Sequence, residues 1–168
     1  MERIARTIDA FSELTGKTIA WLTLAMMVLT FAVVLVRYAF NLGSIALQES
    51  VMYLHAVVFM LGIAYTLQQQ GHVRVDVLSS RFSPRTRAII ELSGTLFFLL
   101  PVAAFLFFGS LDYVGFSWSL MEGSAQPGGL PGVFLLKTLI PVMAALLFIQ
   151  GIAEALRAIM KIRQPIDG

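Results

Sequence analysis

No cysteine occurs in this 168-residue chain, which excludes disulfides, thiolate nucleophiles and sulfur-ligated metals and leaves the redox compartment unmarked. Charge is scarce as well: Asp, Glu, Lys and Arg make up 13% of the residues against 58% hydrophobic, far from the balance of a soluble domain. Histidine occurs twice. There is no phosphate-binding loop, no HExxH, no serine-histidine-acid set and no pair of acids within an apolar run of the kind a proton-coupled antiporter core needs. Internal repeats and low-complexity tracts are also missing. The formal charge is +2 and the pI near 9.2, but the basic residues sit at the ends of apolar runs rather than in one patch, which argues against a nucleic-acid partner. What remains is the composition of an integral membrane protein.

Crossing roughly 30 Å of hydrocarbon takes about 20 apolar residues at about 1.5 Å per residue. Four segments meet that length, over about 18–40, 48–69, 86–112 and 132–156, with apolar cores near Thr18–Val36, Ser50–Leu67 with His55 as its only ionisable group, Leu92–Leu111, and Val133–Ala153 with Lys137 near its start. Pro101 and Pro141 fall inside the last two, where proline gives a local kink rather than a break. Ten of the twelve Lys and Arg lie before the first segment, in the connection from Gln68 to Arg87, or after the last segment. Only Arg37 and Lys137 fall on the other side. The positive-inside rule therefore predicts four transmembrane helices with both termini in the cytoplasm.

Residues 1–17 read as an amphipathic interfacial helix. Ile4, Ile8, Phe11 and Thr15 recur on one face, and Glu2, Arg3, Arg6, Asp9, Glu13 and Lys17 on the other. The following apolar run is membrane-length and ends in Arg37-Tyr38-Ala39-Phe40 without a small-residue cleavage site, so it is expected to persist in the mature protein. The fold class is thus an all-α integral membrane protein, a single membrane domain over 1–168. Ser83-Pro84 is a helix start, with serine as N-cap and proline at the first helical position. A short surface helix is expected over Val77–Phe82. In the third connection, Asp112–Trp118 reads as an aromatic anchor and Glu122–Gly132 as an irregular segment rich in glycine and proline.

Each ionisable group near a span needs an account, because burying one in hydrocarbon costs at least about 2.5 to 3.5 kcal/mol. Arg37 and Glu49 flank a short turn through Asn41 and Gly43, and either pair across the hairpin or snorkel separately. His55, placed about four residues inside the second span, fits a neutral side chain hydrogen-bonded to a neighbouring helix or subunit. Haem ligation by both histidines fails on distance, since His72 lies 17 residues on, about 25 Å along a helix. His72 and Asp76 share a helical face but lack a third metal ligand, so a solvated or subunit-contacting edge is the better reading. Lys137 meets Asp112 or Glu122, or snorkels, and Glu154 with Arg157 forms a local pair. No catalytic set, cofactor site or metal site is expected. Small residues such as Gly62, Ala64, Ala144 and Gly151 suit close helix packing.

Arg37-Tyr38, Glu49, Phe59–Ala64, Gly71-His72-Val73-Arg74-Val75-Asp76-Val77-Leu78 and the arginine-rich entry to the third helix together resemble the small membrane subunit of tripartite ATP-independent periplasmic (TRAP) transporters. The later Glu122, Gly128-Gly129-Leu130-Pro131 and Leu135-Leu136-Lys137 are similar to parts of some members. Many relatives carry tryptophan near Glu49 and around His55, where this chain has none. The resemblance implies a non-catalytic scaffold in the bacterial inner membrane. Its implied partners are a large multi-span subunit holding the substrate path and sodium sites, and a periplasmic binding protein that delivers an organic acid. It further implies that Arg37, Glu49, His72, Arg74, Asp76, Asp112, Trp118, Glu122 and Lys137 contact those partners. A stand-alone four-helix exporter and a haem-binding respiratory anchor are the rival functions.

Overall fold

Helices account for most of the backbone described in the computed structural model, which covers residues 2–71 and 82–163. Among these residues there are no strands, and four helices are long and apolar enough to cross a membrane: α1 Glu2–Phe40, α2 Ile45–Gln68, α3 Pro84–Ser119 and α4 Val133–Arg163. His72, Arg74 and Asp76 lie outside the described residues, as does the surface helix expected over Val77–Phe82 except for Phe82 itself.

The start signal read at Ser83-Pro84 corresponds to a real cap, and Ser44 supplies a second that the sequence analysis did not name. The Ser83 hydroxyl accepts from the Thr86 amide at 3.2 Å, with Pro84 opening α3, and the Ser44 hydroxyl accepts from the Leu47 amide at 3.3 Å to open α2. Ends are set differently. Asn41, Gln70 and Met121 adopt positive φ values of 51°, 54° and 46° just past α1, α2 and α3. At two of these ends the next amide reaches back five residues, Gly71 to Thr66 and Glu122 to Ser117, which closes a Schellman motif without glycine at the left-handed position.

Three helices overrun the expected spans, α4 by continuing past 156 to Arg163. α1 is continuous from Glu2 to Phe40, about 58 Å long, so no break separates residues 1–17 from the span. Its buried positions are Ala5, Ser12, Gly16 and Ile19, whereas Ile4 and Phe11 of the expected apolar face are 57% and 53% exposed. Small side chains win the packing position because they admit a close neighbour: a Cβ at Gly16 would overlap the ring of Tyr65 on α2. α3 runs on to Ser119, so Asp112–Trp118 forms its last turns rather than a loop. Within α3 a π-helical stretch, Thr95–Leu99, precedes Pro101, and the Leu100 amide bonds the Thr95 carbonyl. Proline supplies no N–H and crowds the carbonyl four residues back, and the widened turn absorbs that misfit.

α4 is the hub. It packs against α1, α2 and α3, while α1 also packs on α2 and α3 rests chiefly on α4. The share of buried residues follows: 28% of the apolar window of α4 is buried, against 6% in each of the other three. The core is correspondingly thin and built from small residues, with Ala103, Ala144 and Ala153 fully buried.

Candidate functional site

Polar chemistry concentrates at the two ends of the bundle. At the end bearing the 41–44 and 120–132 connections, Glu49 sits in the second turn of α2 because Ser44 starts that helix five residues earlier. One carboxylate oxygen accepts from the Ser124 hydroxyl and the other from the Leu130 amide at 2.6 Å. Its two oxygens thus hold the connection, and the Arg37–Glu49 ion pair does not form. Arg37 is exposed at the end of α1. The connection is compact in its own right. The Ser124 amide donates to the Leu130 carbonyl at 2.9 Å, Gly128 takes a φ of 76°, and a Cβ at Gly129 would collide with Ser124 and Glu49.

Glu122, delivered by the Schellman turn that ends α3, accepts from the Lys137 ammonium and the Ser117 hydroxyl, each at 2.6 Å. The Lys137 ammonium also lies 4.1 Å from the centroid of the Tyr113 ring. A cation is thereby placed beside the C-terminus of α3 and an anion beside the N-terminus of α4, the favourable sense for both helix dipoles. Lys137, and after it Ser117, hold the Glu122 carboxyl below the ordinary 4.5 of glutamate. Trp118 donates to the Thr138 hydroxyl at 2.8 Å and meets the Phe134 ring edge-on at 4.7 Å. Asp112 takes no part; it is exposed and makes no ion pair with Lys137.

The opposite end holds a network the sequence analysis did not assemble. Gln150 of α4 is fully buried; its carbonyl oxygen accepts from the Ser12 hydroxyl at 2.7 Å and its amide donates to Asp9 at 3.1 Å. Arg157 donates to Asp9 at 2.5 Å and pairs with Glu154, the local pair read from the sequence. Gln68 of α2 donates to the Asp9 backbone carbonyl at 3.0 Å. Asp9 therefore joins three helices from the face assigned to solvent. Two signals were present in the sequence: Gln150 interrupts an apolar run, and Asp9, Ser12 and Gly16 share one helical stripe. Nothing local pointed to Ser124 or Leu130, which lie 75 and 81 residues from Glu49.

Because α2 starts at Ile45, His55 is ten residues in, about 15 Å along the helix, on an exposed face where its ring stacks on Phe59 at 6.3 Å. Among the described residues no group of three or more His, Asp or Glu is arranged to hold a metal ion.

Comparison with known proteins adds a family. The model of the DctQ component of the tripartite ATP-independent periplasmic transporters matches residues 26–161. The chain is 31% identical over 117 residues to the C4-dicarboxylate TRAP transporter small permease protein DctQ of Vibrio cholerae. That match takes in 70% of this chain and 46% of the relative, so the chain spans about half the relative's length. No solved structure matches.

Proposed function

This chain belongs to the DctQ-component family of tripartite ATP-independent periplasmic transporters, and from that premise we propose that it is a non-catalytic scaffold subunit in the bacterial inner membrane. It buttresses a large multi-span subunit that carries the substrate path and the sodium sites. A periplasmic binding protein delivers the cargo, an organic acid; the relative's own name specifies C4-dicarboxylates. The observation that best supports the role is how the ionisable groups are spent. Glu49, Glu122, Lys137, Asp9 and Arg157 all bind other groups of the same bundle: Glu49 ties α2 to the 120–132 connection, Glu122 and Lys137 tie the end of α3 to α4, and Asp9 and Arg157 tie α1 to α4. A part that must stay rigid while its partner moves is served by such clamps.

Charge bias sets the topology of the proposal, with both termini and the Gln68–Arg87 connection cytoplasmic. The 41–44 and 120–132 connections then face the periplasm, where the exposed Arg37 and Asp112 and the partly exposed Trp118 meet the binding protein around the loop pinned by Glu49 and Glu122. Residues 1–17, with Ile4, Phe11 and Leu14 exposed, contact the cytoplasmic lipid surface. His72, Arg74 and Asp76 contact the large subunit. An exporter or a haem anchor gains no support from the family or from the histidine placement.

Co-expression tests the proposal. Tagged chain is expected to bring down the large TRAP subunit from detergent extracts as a stable complex. A chain that purifies alone, well behaved and without that subunit, would count against the scaffold role.

A further inference from the structure

One outward face of α2 carries two polar side chains, Gln48 in the first turn and His55 within the apolar stretch. Ile45, Gln48, Met52, His55 and Phe59 are all exposed and recur at three- and four-residue intervals, forming a single stripe. Where α1 and α3 turn outward in mid-span they do so with side chains such as Met27, Phe31, Phe97 and Phe105, which suit lipid. Among the described residues neither the His55 imidazole nor the Gln48 carboxamide makes a hydrogen bond. His55 lies about 15 Å from one end of α2 and about 20 Å from the other, within the apolar stretch Ser50–Leu67. Ionisable side chains at such depth face the interior of a bundle and find partners there. The interior that His55 faces is therefore not that of this chain alone.

The head of the same stripe is concave. Ile45, Gln48, Glu49 and Met52 with Gln126 of the ordered connection line a cleft of about 310 Å³. Its far wall is held in place by the bonds from Ser124 and Leu130 to Glu49. A lipid acyl chain would satisfy Met52 and Phe59 but offers nothing to Gln48 or His55. A protein helix can satisfy both kinds of side chain.

We infer that the Ile45–Phe59 stripe of α2 is the surface on which a membrane helix of the large TRAP subunit seats, with a hydrogen-bonding side chain opposite His55 and a bulky side chain in the cleft. The inference rests on the scaffold reading and adds to it the face that is used. A test places the photo-crosslinker p-benzoylphenylalanine at Met52 or Phe59 and, as a control, at Phe105 on α3, in membranes holding the co-expressed complex. Adducts with the large subunit from Met52 and Phe59 but not from Phe105 are expected. His55→Leu should weaken the complex roughly tenfold, and His55→Gln, which keeps hydrogen-bonding groups, less so. Adducts with lipid alone, with a second copy of this chain, or with the large subunit only from Phe105 would overturn the surface while leaving the subunit role standing. Failure of the unsubstituted chain to capture the large subunit would overturn both.

Discussion

Glu122 sits where the end of α3 meets the start of α4, and its surroundings make its stability contribution depend on pH in a defined sense. Its carboxyl is held below 4.5 by Lys137 first and Ser117 second. The folded state therefore favours the ionised form, and the gain is fully present above the unfolded value and lost as pH falls through the lower folded one. In detergent, the melting-temperature advantage of the native protein over Glu122→Gln should be constant above about pH 5 and shrink as the pH falls below 4.5. An advantage independent of pH would contradict the assignment. Glu49 and Glu122, both expected to meet partner proteins, also hold their own chain together. The contact between Glu122 and Lys137 was within reach of sequence reasoning because one connection separates them. The contact of Glu49 with the 120–132 connection was not, because it depends on α2 and the connection arriving at the same end of α4.

At the scale of elements, helix number and the start of α3 were legible for a physical reason: hydrocarbon thickness fixes span length, and Ser83 accepts a hydrogen bond from a first-turn amide. Helix ends were less so. Hydropathy reports where the membrane stops, whereas backbone hydrogen bonding continues through Asp112–Trp118 and through residues 2–17. Termination by Asn41, Gln70 and Met121 in the left-handed region leaves no glycine to mark it. The packing stripe of α1 was not read from the sequence because it is small and polar rather than apolar. That stripe yields a prediction: Gly16→Ala should destabilise the α1–α2 pair by about 1–3 kcal/mol through overlap with the Tyr65 ring. The penalty should fall sharply in a Tyr65→Ala background, read by thermal unfolding in a double-mutant cycle. Equal penalties in both backgrounds would place the effect elsewhere.

Seen whole, the molecule is three helices fastened to a fourth. Polar clamps sit at its two ends, and beside them α2 turns the unbonded side chains of Gln48 and His55 outward. The thin alanine-rich core and the broad apolar exterior suit a protein completed by lipid and by a larger subunit. Reconstitution tests the central claim most directly. Sodium-driven uptake of the organic acid should appear in liposomes holding this chain, the large subunit and the binding protein together, and should be lost when this chain is left out. Uptake by this chain alone, or undiminished uptake in its absence, would contradict a scaffold role.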